Sequence, residues 1–211
     1  MAMRKRPRPT NRPNWSSATT VIEGEIADRV FDFSDVPSSP HSPLRNCGLF
    51  EVVARRVEFD LDKAHLTVAA SLFEDCSFRE RLRKSYDGTW PQGDFALTPT
   101  TYRRCVFHGV RFHPFGGFVV GPARFEDCTF RHCHLRANFP CCDFVRCAFE
   151  GKVSGAMFWG KSPAKSPCGD RTNEIVDNDF TNAVLTNVAW LGEVNLSAQH
   201  WPPGYSPQPD P

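Results

Sequence analysis

The chain has 211 residues, 25 Lys and Arg against 24 Asp and Glu, and a formal net charge of +1. Hydrophobic residues at 40% and charged residues at 23% fit one folded domain with ragged ends. The charge balance excludes a strongly basic nucleic-acid binder and a strongly acidic mimic at whole-chain level, and no apolar run reaches the ~18–20 residues that span a bilayer, so no membrane partner is expected.

The N-terminus carries Arg4, Lys5, Arg6, Arg8 and Arg12 and no acid through residue 20. No apolar run of the secretory-signal kind follows it. Residues 1–18 therefore read as a disordered basic tail on a cytoplasmic protein whose cysteines are reduced. Residues 19–45 read as an N-terminal cap and a Ser/Pro-rich linker, the linker lying at 34–43.

From residue 46 to about 200 a repeat dominates. Large apolar residues recur every five positions at Phe125, Phe130, Leu135, Phe139, Phe144 and Phe149, with one step of four before Phe139. Two residues before each stands a small one: Ala123, Cys128, Cys133, Ala137, Cys142 and Cys147. The same pairing recurs upstream at Phe73, Phe78, Tyr102, Phe107 and Phe112, and downstream at Phe158, Phe180, Leu185 and Trp190. Of these fifteen centres, eleven are Phe, and fourteen of the fifteen partners are Ala, Cys, Ser, Thr or Val, which makes chance a poor explanation.

A period of five matches neither a helix nor a continuous strand. Residues two apart face one side of an extended segment, and a gap of three to the next pair needs a turn. A chain that bends every five residues closes a square in about twenty, and successive squares stack as parallel strands ~4.8 Å apart. The centre and its partner face inward, and each buried Phe contributes ~2–3 kcal/mol. The expected core is Phe73, Phe78, Phe107, Phe112, Phe125, Phe130, Leu135, Phe139, Phe144, Phe149, Phe180 and Leu185.

With Ala137-Asn138-Phe139 and Asn178-Asp179-Phe180-Thr181-Asn182-Ala183-Val184-Leu185, the chain resembles the pentapeptide-repeat family, whose unit is Ala-(Asp/Asn)-(Leu/Phe)-x-x. The Trp201-Pro202-Pro203-Gly204-Tyr205 segment is similar to the ending found after many such repeats. The resemblance implies an all-β fold: a right-handed quadrilateral parallel β-helix of about six coils, with projecting loops and disordered termini. It also implies that Trp201–Tyr205 caps the last coil and that 201–211 is a Pro-rich tail.

The repeat breaks in three places. Residues 79–98 fit no pentad and read as a projecting loop holding Arg79, Arg81, Arg83, Lys84, Tyr86 and Trp90, the candidate partner-binding residues. Residues 114–122 are apolar and read as remaining in the coil. Residues 160–172 form a second candidate loop. Outward arginines at Arg103, Arg104, Arg111, Arg124, Arg131 and Arg136 give residues 101–160 a charge of +4.

Chemistry is poorly supported. Gly155 to Ser162 fits the phosphate-loop pattern, but Pro163 and Pro167 oppose the helix that such a loop needs, and Phe158 already serves the repeat. Cys128, Cys133, Cys141, Cys142 and Cys147 lie near His132 and His134. They recur every five residues rather than in zinc-type pairs, and read as small core fillers, so no metal and no cofactor is expected. Cys141 and Cys168 are the two clear exceptions to the inward slot; Cys168, in a loop, is the candidate reactive thiol. His108 and His113 follow repeat centres and should face outward. No nucleophile motif is present, and no enzyme activity is expected.

The reading that follows is a non-catalytic protein-interaction scaffold with an unidentified protein partner. The resemblance adds an alternative, because some pentapeptide-repeat proteins bind DNA gyrase or topoisomerase IV as mimics of duplex DNA. Two features depart from that pattern: the positive 101–160 segment and a proline-rich tail that cannot form a dimerising helix. Nucleic-acid binding through the basic faces is a further, less favoured alternative, given the near-zero net charge.

Overall fold

The computed structural model of the protein describes residues 20–36, 45–62, 64–80, 99–110, 112, 122–164, 166 and 168–208. Among these run sixteen strands: β1 (Thr20–Phe31), β2 (Arg45–Asp60), β3 (Ala64–Ala69), β4 (Leu72–Glu74), β5 (Ser77–Arg79), β6 (Thr100–Arg103), β7 (Val106–His108), β8 (Ala123–Glu126), β9 (Thr129–Arg131), β10 (Asn138–Phe139), β11 (Cys142–Val145), β12 (Ala148–Ser154), β13 (Met157–Trp159), β14 (Ile175–Val176), β15 (Ala183–Thr186) and β16 (Ala189–Leu191). Every pairing between them is parallel.

The registers give four faces. The first stacks residues 53–55 of β2 with β4, β6, β8, β11 and β14. The second stacks residues 58–60 of β2 with β5, β7, β9 and the start of β12. The end of β12 pairs with β15 on the third face, and β10, β13 and β16 form the fourth. The chain is a quadrilateral parallel β-helix, as the five-residue period requires.

Every centre predicted from the repeat is buried except Leu185, which is half-buried. Stacking in register turns these centres into columns. On the second face, Phe59, Phe78, Phe107, Phe130, Phe149, Phe180 and Trp201 follow one another at ring-centroid distances of 4.8, 4.9, 5.0, 4.9, 4.4 and 5.3 Å. On the first face, Phe73, Tyr102, Phe125 and Phe144 stack at 5.0, 4.9 and 5.0 Å. On the fourth, Phe139, Phe158 and Trp190 stack at 5.4 and 4.9 Å. The ladder sets this spacing, since one rung is one strand separation. Offset stacking adds to the burial of each ring.

The ends differ from a plain cap. β1 is itself a rung: Ile26 aligns with Ala54 and Phe31 with Phe59. Beyond it, Phe33 and Val36 are buried, so the chain still packs on the core where sequence composition suggests a linker. Residues 37–43 of that linker lie outside the described residues. At the other end Trp201 stacks on Phe180 and meets Trp190 edge-on at 4.9 Å. Its indole N–H donates to the Leu196 carbonyl at 3.0 Å, while the Trp190 indole N–H donates to the Tyr205 hydroxyl at 3.3 Å. No described helix is long and apolar enough to cross a membrane.

Candidate interaction surfaces

Two residues after each first-face centre the chain turns into the second face. The residue there adopts a left-handed conformation: Asp28 (φ 52°), Arg56 (52°), Asp75 (54°), Arg104 (50°), Asp127 (53°), Arg146 (53°) and Asp177 (54°). Along the edge of the solenoid these seven corner residues alternate in charge throughout. The left-handed region costs a non-glycine residue ~1–2 kcal/mol. Two contacts offset it. The corner N–H groups of Asp75, Arg104, Asp127 and Arg146 donate to carbonyls of the next coil at 2.9–3.0 Å. Each guanidinium also reaches one coil back and forks onto an Asp: Arg56 on Asp28 (2.5 and 2.7 Å), Arg104 on Asp75 (2.7 and 2.9 Å), Arg146 on Asp127 (2.7 and 3.0 Å).

A second alternating column runs beside it on the first face, where Arg55, Glu74, Arg103 and Glu126 are in register. Arg55 and Glu74 lie 3.1 Å apart; Arg103 lies 3.7 Å from Glu74 and 3.4 Å from Glu126. Arg124 sits among three carboxylates, at 2.8 Å from Glu174, 3.7 Å from Asp143 and 3.9 Å from Glu126. Arg131 pairs with Glu150 at 3.2 Å.

These pairs correct the reading of residues 101–160 as free basic faces. Arg103, Arg104, Arg124 and Arg131 do face outward, but each is matched by an acid from a neighbouring coil. Arg136 is exposed beside Gly155, and Arg111 lies outside the described residues. Of the candidate loop residues, Arg79 closes β5 and pairs with Glu58 at 3.2 Å and Asp60 at 3.7 Å. Arg81, Arg83, Lys84, Tyr86 and Trp90 lie outside the described residues, as do His113 and residues 114–121 of the apolar break at 114–122.

Asp28, Asp75 and Asp127 are held below the usual carboxylate range, first by their arginine hydrogen bonds. A carboxyl with a depressed folded pKa contributes stability above its unfolded value and loses that contribution as pH falls. The ladder is therefore intact at neutral pH and dissolves below about pH 4. Arg104→Glu places like charges in succession with Asp75 and Asp127. It is expected to lower the unfolding midpoint by a few degrees at neutral pH. The deficit should shrink in ~1 M salt and narrow progressively as pH falls from about 4 to 3. Thermal unfolding of both chains under the three conditions measures it.

Residues 160–172 are stitched to the corner before β11. Cys141 and Cys168 are joined by a disulfide with Cα atoms 5.9 Å apart. This corrects the expectation of nine reduced cysteines and of a reactive Cys168. The physical reason is that Pro140 and Cys141 form a turn which carries the Cys141 side chain out of the inward slot and toward the returning loop. Arg171 ion-pairs with the buried Asp143, whose other oxygen accepts the Glu174 N–H at 2.9 Å. The Asn173 amide donates to the Pro140 and Trp159 carbonyls at 2.9 and 2.8 Å. Within the phosphate-loop look-alike, Phe158 is core, Ser162 donates to the Pro140 carbonyl and Lys161 pairs with Asp170 at 3.5 Å. No helix follows among the described residues, so this stretch lacks the helix start that a phosphate cradle uses.

The other seven cysteines are buried free thiols. Burial pushes the thiols of Cys47, Cys133 and Cys142 up to about 12 and raises Cys105 and Cys147 as well, while hydrogen bonds with neighbouring thiols of the same column lower Cys76 and Cys128, whose burial still keeps reagents out. Cys76, Cys105, Cys128 and Cys147 occupy one column on successive coils, each Sγ lying 3.4–3.5 Å from a carbonyl oxygen of the preceding coil. A thiol-disulfide reagent at neutral pH is expected to find no fast-reacting thiol in the native protein. It should find seven after denaturation and nine after denaturation with reduction.

No protein-family model matches the chain, and no curated protein matches its sequence. The solved structures similar to it include QnrB1, a plasmid-mediated fluoroquinolone resistance protein. One trypsin-treated variant shares 10% identity at a TM-score of 0.29, over 85% of this chain and 93% of that one. A second gives 14% and 0.25 over 86% and 93%, and full-length QnrB1 gives 11% and 0.23 over 86% and 91%. The fold rests on the registers and burial above, not on this likeness.

Proposed function

We propose that the chain is a non-catalytic protein-interaction scaffold of the pentapeptide-repeat kind, with segment 79–98 as its contact element. The pairing of outward arginines with carboxylates of adjacent coils carries this reading. It removes the free positive field that sequence-independent nucleic-acid binding needs, and it equally lacks the one-sign anionic surface of a duplex-DNA mimic. What remains is a rigid frame. It fixes both ends of the segment: the Glu80 N–H donates to the His108 carbonyl and the Thr100 N–H to the Pro122 carbonyl, each at 3.0 Å.

The test is affinity capture with the full chain and with a chain lacking residues 81–97, with and without nuclease, and with purified DNA gyrase as a separate arm. A protein retained after nuclease and lost on deletion supports the proposal. Retention of gyrase would make that enzyme the partner. Retention of nucleic acid alone would overturn the scaffold reading.

A further inference from the structure

The outward column on the second face, unlike the Asp28–Asp177 corner column and the Arg55–Glu126 column of the first face, breaks the alternation of charge. In register it reads Asp60, Arg79, His108, Arg131, Glu150. Arg79 pairs backward with Glu58 and Asp60, and Arg131 pairs forward with Glu150. The two guanidiniums thus draw on carboxylates of the outer coils, and among the described residues the level between them holds none. His108 is exposed, and its ring lies 6.1 Å from that of His132, also exposed, at the adjacent corner. To one side of this column the register stacks Ser77, Val106 and Thr129, which are uncharged. At the corner on the other side, Glu80 is half-buried and engaged in interactions of its own, and Gly109 carries no side chain. The result is a gap of about 10 Å, two rungs of the ladder, with positive charge on both flanks. It lies on the coil that follows segment 81–98.

We propose that the His108 level, between Arg79 and Arg131, is the docking position for a carboxylate side chain of an acidic partner protein. This rests on the scaffold reading and supplies the chemistry of its partner. A carboxylate placed there completes the alternation that the corner column and the first face already show. A phosphate backbone is the poorer fit, because the gap is a single level: a continuous polyanion running along the face meets Glu58 and Asp60 on one side and Glu150 on the other. Matched local charge of this kind sets register and on-rate more than raw affinity.

His108→Glu supplies the missing carboxylate from the chain itself. It is expected to raise the unfolding midpoint by about 1–3 °C, the effect of one or two exposed ion pairs in a chain of this size. It should also weaken binding of a fluorescein-labelled peptide carrying one central glutamate among glycines and serines at least tenfold by anisotropy at low ionic strength. His108→Ala should leave the midpoint unchanged and keep peptide binding within about threefold. Unchanged midpoint and unchanged peptide binding in His108→Glu would overturn the proposal. So would tighter binding of a single-stranded oligothymidylate than of the peptide, with the same loss on substitution, which would make this a phosphate site. If His108→Glu still retains a protein that the 81–97 deletion loses, the gap is not the docking position while the scaffold reading stands. Loss of that protein in both chains supports the gap and the segment together.

Discussion

Phe107→Ala is expected to destabilise the protein by about 3–5 kcal/mol, at the upper end for a core truncation, and to lower the unfolding midpoint by about 6–20 °C. Phe107 is fully buried and sandwiched between Phe78 at 4.9 Å and Phe130 at 5.0 Å. It also takes edge contacts from Tyr102 at 5.5 Å, Phe112 at 5.6 Å and Phe125 at 5.7 Å. The void cannot collapse along the axis. The rungs around it are held apart by their hydrogen bonds, Val106 to Cys76 at 2.9 Å and Gly109 to Arg131 at 2.9 Å. Phe107→Leu retains most of the volume and should cost about 1–1.5 kcal/mol. Trp201→Ala, at the end of the same column and only partly buried, should cost about 1–2 kcal/mol. In a solenoid stability accrues rung by rung, so a central break is expected to uncouple the two halves and broaden the transition, whereas an end break is not. Denaturant unfolding of the three variants checks the order. A loss in Phe107→Ala no larger than in Trp201→Ala would mean that the column is not packed as described.

The inward half of this architecture is legible in the sequence because centre and partner are only two residues apart. That rule fails where the centre is small. Ala54 with Val52 occupies the first-face core, both fully buried, yet neither residue stands out in a search for large-after-small pairs. The rung formed by β1 is missed for a different reason: Phe31, in register with Phe59, has Arg29 where the rule expects a small residue. The outward half is not legible because its partners are remote and unevenly spaced. Asp28 and Arg56 are 28 residues apart, Asp75 and Arg104 are 29, Asp127 and Arg146 are 19. The insertions at 81–98 and 160–172 shift every later coil, so the alternation emerges only once the strands are in register. The same holds for His108, an ordinary outward histidine until Arg79 and Arg131 are stacked on either side of it. The disulfide left a trace: Cys141 and Cys168 are the two cysteines that fit no inward slot. What no spacing rule supplies is the turn at Pro140 that brings Cys141 to the loop.

Asn178→Ala is expected to cost about 2–4 kcal/mol although it removes only an amide, and to loosen the C-terminal cap before the rest of the coil. Asn178 is fully buried in the column that holds Cys147 on the preceding coil. Its carbonyl oxygen accepts the Cys147 N–H at 2.9 Å, and its amide donates to the Phe144 carbonyl at 2.9 Å and to the Gln199 side-chain oxygen at 3.0 Å. Gln199 in turn donates to the Ile175 and Asn195 carbonyls at 2.8 and 2.9 Å. The alanine variant strands the Cys147 N–H where water does not reach, whereas the Phe144 carbonyl keeps its place in the ladder with β14. The stranded N–H costs about 1–3 kcal/mol, on top of the loosened Gln199. The upstream coils place Cys in this slot, where the thiol packs as a small hydrophobe. The change to Asn and Gln at the last two levels marks where the ladder stops repeating and the tail must be tied down instead. A double-mutant cycle with Gln199→Leu tests this. If the two amides act as one unit, the cost of the pair falls short of the sum by more than about 0.5 kcal/mol. Strict additivity would show that the tail is held by the Trp201 stack alone and that Asn178 serves only its own coil.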